Sequence, residues 1–407
     1  MYLMRMLHSF LLVCILILSL GCDERKSSPV GGEVIDREDL GQFGEVHIQP
    51  ASRDSVVQTT TSTFASPLLL VGEWSGYQTK SLLKFEVLPE SVQVDTASVT
   101  LFTSGVIDAE TDFQSMVPDS LRIIVSLLET DWSADHVTFD TKLEYSAIET
   151  LAVGRSTDDS LTFFLPTDTV QAWVDETVEK YGLLLSYEEE PSGEGFIKSF
   201  YAAHTENSLS LWPRLNITWS VSDTSDTTVI VIPTADVFVV NRRIQWPFDT
   251  TTDRLMVGNG FVYRSLLLFN FEDSIPDDAT IVNGDLTLYI DGFFSFFNSL
   301  EMGIYAVTTP TWDNPEYDST KVILSTVYLE EEYVVFNIHS FIQDWVNGER
   351  PNYGLIVKSI REDRDISSFV FHSSQSEPDF GPKLDVVYVT PPDFGHKTVA
   401  EATKSEQ

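Results

Sequence analysis

The chain has 407 residues, 43% of them apolar, and a formal net charge of −37. That length and apolar content suffice for two or three domains with hydrophobic cores, and only two cysteines are present to add disulfides. So acidic a surface repels nucleic acid and anionic lipid headgroups, which excludes both as partners.

The chain opens with Arg5 and an unbroken apolar run from Phe10 to Leu18. The run is far short of the roughly 20 residues needed to span a bilayer, so residues 1–21 read as a signal peptide. It ends in Leu18-Ser19-Leu20-Gly21-Cys22, which resembles the lipobox of bacterial lipoproteins, although Ser19 and Leu20 depart from the family's usual order of a large then a small residue. The resemblance implies cleavage after Gly21 and a lipid on Cys22 as membrane anchor. It also implies a place in the cell envelope facing outside the cytoplasm, on the outer membrane or cell surface. Cys14 lies in the removed segment, so Cys22 is the one cysteine retained and no internal disulfide forms. Residues 22–43 are polar with Pro and Gly and read as a flexible tether, and residues 392–407 read as a polar disordered tail.

Between these ends the chain repeats itself. Lys80-Ser81-Leu82-Leu83-Lys84-Phe85 returns as Arg264-Ser265-Leu266-Leu267-Leu268-Phe269. Phe164, Trp173-Val174 and Tyr181-Gly182-Leu183 return as Phe336, Trp345-Val346 and Tyr353-Gly354-Leu355, and Pro213-Arg214-Leu215 returns as Pro382-Lys383-Leu384. Two modules follow, residues 44–221 and 230–391, joined by a linker over 222–229. Leu83, Phe85 and Val87 alternate with polar residues, as do Leu286, Leu288 and Ile290, which is the period of half-buried strands. Val170, Trp173 and Val174 fall at helical spacing, as do Ile342, Trp345 and Val346, with Gly348 placed to end the second helix. The expected fold is all-β: two tandem antiparallel, jelly-roll-like β-sandwich modules, each with one short helix.

The order of the second copy is informative. Ala235 to Val239 is followed by the Arg-Ser-Leu-Leu strand, the Ile275-Pro276 turn and the stretch Tyr305 to Trp312. Ile342 to Leu355 and Pro382-Lys383-Leu384 complete it. This resembles the DNRLRE-domain modules of secreted bacterial and archaeal proteins, which are similar to carbohydrate-binding modules, some of which bind alginate. The string that names the family is absent, with only Asp253-Arg254-Leu255 near it. The resemblance implies a sandwich and leaves the ligand open.

No metal-binding, nucleophile-elbow or phosphate-loop motif occurs, and the expectation is that the chain is not an enzyme. His204 and His372 fall one residue apart in the repeat frame and read as strand-end packing. No cofactor is implied, although a structural Ca²⁺ on Asp313, Glu316 and Asp318, or on Glu362, Asp363 and Asp365, suits an acidic sandwich as well as solvated loop charge does.

Aromatic residues are the better lead, because the C–H faces of sugar rings stack on them. Phe293, Phe294, Phe296 and Phe297 follow Gly292 between two expected strands, where they either bind a ligand, partner or membrane face, cap the core, or pack on the first module. Trp74 and Tyr77 flank Gly76 and form a second candidate. The charge disfavours alginate and favours a neutral glycan, a cation or a basic protein face. The sequence thus points to a non-catalytic, lipid-anchored envelope protein that binds a glycan or a surface protein. A structural spacer in a surface assembly is the alternative, and a polysaccharide-degrading enzyme a more distant one.

Overall fold

The computed structural model describes residues 41–391 apart from 49–50, 75, 108–120, 155–158, 189–195, 204–207, 223–224, 243–253, 272–273, 295–297 and 376–378. Residues 1–21, read as a signal peptide, Cys22, residues 22–40, the 392–407 tail and His204 lie outside the described residues. The chain opens with β1 (Gln42–Ile48), β2 (Arg53–Thr60), β3 (Leu68–Trp74) and β4 (Tyr77–Lys84). β5 (Thr96–Ile107), β6 (Leu121–Leu128), β7 (Tyr145–Gly154) and β8 (Ser160–Leu165) lead to helix α1 (Thr167–Val174). Next come β9 (Leu183–Tyr187), β10 (Ile197–Tyr201), β11 (Arg214–Ser222), β12 (Ser225–Val231) and β13 (Ala235–Arg242). The second half holds β14 (Arg254–Gly258), β15 (Phe261–Leu268), β16 (Thr280–Phe294), β17 (Ser299–Ala306), β18 (Ile323–Tyr328) and β19 (Tyr333–Asn337). Helix α2 (His339–Val346), β20 (Leu355–Ser359), β21 (Ser368–His372) and β22 (Lys383–Thr390) close it.

All strand pairs are antiparallel, and the strands form two curled sheets of the same topology, each folded over its own core. The all-β, two-body expectation holds, with one short helix per body. Val170, Trp173 and Val174 are the buried face of α1, and Gly348, at φ +68°, follows α2 and donates to the Trp345 carbonyl. Among the described residues no helix is long and apolar enough to cross a membrane.

The module boundaries differ from the sequence repeat. The first body runs β12-β11-β5-β10-β3-β4-β9-β6-β7, with β13 on β4 and β8 on β5. The second runs β1-β22-β16-β21-β14-β15-β20-β17-β18, with β2 on β15 and β19 on β16. The opening strand pair of each sequence repeat therefore completes the other body: β1 and β2 pair with β22 and β15, while β12 and β13 pair with β11 and β4. Residues 222–229 are not a linker, because β11 turns straight back into β12 with Ser222 opposite Ser225. Nor does the tether reach residue 43, since Gln42 and Phe43 already pair with Thr390 and Val389.

The apolar side chains follow the exchange. Val46, Ile48, Ala51 and Val56 join the second core, and Val229 and Val231 join the first. One detail of the repeat shifts by a residue: Phe163, at 3% exposure, is the counterpart of buried Phe336, while Phe164 is 65% exposed. The strand register places Phe163 opposite Val99 and Phe336 opposite Leu286, both core residues.

The recurring Tyr-Gly pair has a steric cause. Gly182 and Gly354 sit at φ +95° and +100°, and a Cβ there would meet the Leu83 and Leu267 carbonyl oxygens at 2.0 and 2.5 Å. The preceding tyrosines matter through their carbonyls, which accept from the indoles of Trp132 (2.8 Å) and Trp312 (3.0 Å). Each tryptophan thereby fastens a loop over the outer face of its sheet, where it joins a second apolar layer.

Candidate binding surface

β16 runs through both layers of the second body. It pairs with β22 as far as Thr287 and with β19 as far as Tyr289, then with β21 from Ile290, with a bulge between Ile290 and Gly292. Before the bulge, Leu286 and Leu288 are fully buried in the core, so Thr287 and Tyr289 stand on the outer face. At the bulge the strand kinks and re-aims Asp291 toward β14 and β21.

Tyr289 is the centre of an aromatic cluster. Tyr333, its cross-strand partner on β19, lies 5.8 Å away between ring centroids, and Phe380, from the turn before β22, meets it edge-on at 5.5 Å and 87°. The Lys383 ammonium sits 4.6 Å from the Tyr289 ring centroid and donates to its hydroxyl at 3.3 Å. Tyr333 and Phe380 remain 50% and 43% exposed, so two rings face solvent with a half-buried one between them. Phe380 also abuts the His372 ring at 5.4 Å. His372 Nε2 lies 3.5 Å from Asp291 Oδ1, and the other oxygen of Asp291 is ion-paired with Arg254. Lys383, His372, Arg254 and Asp291 thus stand at the rim of the aromatic cluster.

The first body keeps a reduced version of this face. Phe102 occupies the place of Tyr289, with the Arg214 guanidinium 4.4 Å from its ring centroid, as Lys383 is placed on Tyr289. Ser160 pairs with Phe102 where Tyr333 pairs with Tyr289. The flanking ring that Tyr333 supplies is therefore missing there.

The residues singled out in the sequence fare differently. Phe293 does not lie in a loop between strands: it extends β16, pairs with Phe369 and packs on that core ring at 5.8 Å, leaving 37% of it exposed. Phe294 ends the same strand, and Phe296 and Phe297 lie outside the described residues. Trp74 and Tyr77 are not an open binding pair. Tyr77 is 1% exposed in an apolar cluster between the two bodies, formed with Leu68, Leu70, Ile197, Phe238 and Ile366, and Trp74 packs against that cluster. Arg242 lies over the Tyr77 ring at 5.1 Å and donates to the Tyr263 hydroxyl at 2.8 Å, tying the bodies together.

The two calcium candidates do not converge. Asp318 accepts from Thr320 and Arg350, which hold its carboxyl down at about 2. Glu362 makes a bidentate pair with Arg264, at 2.6 and 2.7 Å, and a further contact to Lys358 at 3.2 Å. Asp365 is 1% exposed and accepts from Ser367 N (2.6 Å) and Asn259 Nδ2 (3.1 Å), and burial pushes its carboxyl up. Among the described residues no group of three His, Cys, Asp or Glu is arranged to hold a metal ion.

Sequence reading missed Tyr289, Tyr333, Phe380 and Lys383. The Leu286-Leu288-Ile290 alternation already turns Tyr289 outward, but its convergence with Tyr333 and Phe380 depends on strand register.

No protein-family model matches the chain, and no curated protein matches it. Among solved structures it aligns with the Macrobrachium rosenbergii nodavirus at 9% identity, covering 89% of this chain and 93% of that one, with a TM-score of 0.13. Procruciferin, an 11S globulin from Brassica napus, aligns at 10% identity over 88% and 86% of the two chains, with a TM-score of 0.10. Vicilin from Corylus avellana (hazelnut) aligns at 7% identity over 88% and 86%, with a TM-score of 0.11. At such TM-scores none of the three carries an argument about this chain.

Proposed function

We propose that this chain is a non-catalytic cell-envelope lipoprotein, anchored through Cys22, that binds a neutral glycan on the outer face of its second body. The observation that carries the reading is the Tyr333–Tyr289–Phe380 cluster, with two rings half exposed and hydrogen-bonding groups at its rim. Aromatic rings take the apolar face of a sugar, and Lys383, His372 and Asp291 beside them are hydrogen-bonding groups suited to its hydroxyls. The overall acidity favours an uncharged ligand over a polyanion approaching from solution. The anchor rests on the lipobox-like Leu18 to Cys22, and the glycan class on the resemblance to carbohydrate-binding modules together with this face. A glycan microarray probed with the chain from Asp23 onward tests the reading. Binding to neutral glycans that disappears in a Tyr333→Ala/Phe380→Ala variant supports it, and a silent array counts against it.

A structural role in a surface assembly is the second reading. The N-terminal strands β1 and β2 favour it, because they complete the second body's sheet from the far side of the first body in the chain.

A further inference from the structure

The Tyr289 cluster stands at one end of an open sheet face. Strand pairing continues that face across β1, β22, β16 and β19, and the outward side chains fall into rows. Next to Tyr289 and Tyr333 come Lys383, Thr287 and Val335, and beyond them His47, Asp385, Asp285 and Asn337. Tyr289 and Asp285 lie on the same face of β16, separated by roughly 14 Å at the rise of a strand. The far row is open to solvent, with the His47 side chain 72% exposed and that of Asp385 50% exposed.

Hydrogen bonds within the far row hold its side chains in place. Asn283 Nδ2 donates to Asp285 at 2.7 Å, Asn337 Nδ2 donates to Asn283, and the His339 ring meets Asn337 at 2.7 Å. His47 Nδ1 lies 2.5 Å from Asp385. Yet Asp285 and Asp385 are direct partners across β16 and β22, where like charges about 5 Å apart destabilise a sheet. The first body shows what the fold itself requires here. In the same register its row reads Ile230, Asn216, Ser98 and Phe164, with no charge. The facing carboxylates and the Tyr333 ring are therefore both absent from the first body, and both stand on one face of the second.

We infer that the binding site extends along this face to Asp285 and Asp385, so that its ligand is a linear neutral oligosaccharide lying along β16 rather than a single terminal sugar. The inference rests on the glycan reading of the Tyr289 face. The rings take the apolar face of one sugar residue, Thr287 and Val335 border the next, and the two carboxylates accept hydroxyls of a residue beyond. An ionised carboxylate only accepts, and a sugar ring with hydroxyls on adjacent carbons offers two donors side by side. Two neighbouring carboxylates take both at once in charge-assisted bonds. A charged chain of uronic acids is repelled at the same place, which suits the row to an uncharged polymer.

The test is calorimetric titration of the chain from Asp23 onward with cello-, manno-, xylo- and N-acetylchito-oligosaccharides of one to six residues. The expected result is one series whose affinity rises by about tenfold or more between the shortest sugar bound and the tetrasaccharide. Asp285→Ala/Asp385→Ala is expected to cancel that rise and leave the shortest sugar's affinity unchanged, whereas Tyr333→Ala/Phe380→Ala lowers affinity at every length. Asp285→Ser/Asp385→Asn, which puts the first body's side chains on this row, serves the same purpose should the alanine variant melt early. Equal affinity at every length, or a rise that survives the acidic-pair variants, would overturn the extended site and leave the reading of the Tyr289 cluster standing. No binding in any series would overturn both.

Discussion

Tyr289 and Phe102 hold the same place in the two bodies, each with a cation at its ring, Lys383 at 4.6 Å and Arg214 at 4.4 Å. A cation–π contact of this kind contributes about 0.5–1 kcal/mol where it is partly exposed. Its retention in both bodies, with Tyr333 added in only one, separates two roles. The pair fastens the opening of the last strand, and the added ring belongs to the face proposed to bind. Lys383→Met is therefore expected to lower stability by no more than about 1 kcal/mol, whereas Phe102→Ala should leave glycan binding unchanged. Thermal melts and a binding titration on the two variants check this.

The strand exchange predicts which fragments fold. A fragment of residues 61–242 contains a complete first body and is expected to melt cooperatively. A fragment of residues 230–391, the second module as the sequence repeat delimits it, lacks β1 and β2 and is expected to be unfolded or aggregated. Circular dichroism of the two fragments decides the matter, and a folded 230–391 would refute the exchanged pairing.

Much of this architecture is legible in the sequence. The alternation at Leu286, Leu288 and Ile290, the helical spacing at Trp173 and Trp345, and the recurring Tyr-Gly pair give strands, helices and duplication directly. The exchange is not visible in the repeat because β1 and β12 carry equivalent patterns: Val46 and Ile48 suit either core as well as Val229 and Val231 do. What decides between them is the tight β11–β12 turn, which leaves β12 no route but back along β11. The Ser220 to Thr228 stretch has no Asn-Gly or Asp-Gly pair to mark that hairpin, and its Ser/Thr/Asp composition reads as a linker. The binding face was hidden for a related reason. Tyr333 and Phe380 come from distant parts of the chain, and only register brings them to Tyr289. By contrast Phe293 and Tyr77, prominent in the sequence, are drawn to the core edge and to the junction because large rings lower the free energy most where water is excluded.

On the outer side of the second body, Glu362 is the shared partner of Arg264 and Lys358, with a side chain only 9% exposed. Its hydrogen bond holds the Arg264 guanidinium above its ordinary range. Removing one member of a buried pair leaves the other charge without compensation, at a cost of about 3–5 kcal/mol. Glu362→Gln is expected to destabilise by that order in denaturant titration of the chain from Asp23 onward.

Asp365 gives a pH prediction. Burial raises its carboxyl above the unfolded value of about 3.9. Between the unfolded and folded pKa values the native state holds a proton that the unfolded chain has lost. Stability from this group is therefore fully present below about pH 4 and falls as pH rises through the folded pKa. Asp365→Asn keeps an acceptor for Ser367 N and Asn259 without the charge. It is expected to be more stable than the parent at pH 7, with the advantage shrinking below about pH 4. Chemical denaturation at both pH values checks the sign.

The central claim is that the Tyr289 face binds a neutral glycan. The most direct measurement is calorimetric titration of array-selected neutral oligosaccharides into the chain from Asp23 onward and into its Tyr333→Ala/Phe380→Ala variant. The account predicts saturable binding by the parent and at least a tenfold loss in the variant, about 1.4 kcal/mol or more, with the melting transition of the protein preserved. Undiminished binding by the variant, or no binding by the parent to any neutral glycan tested, would contradict it.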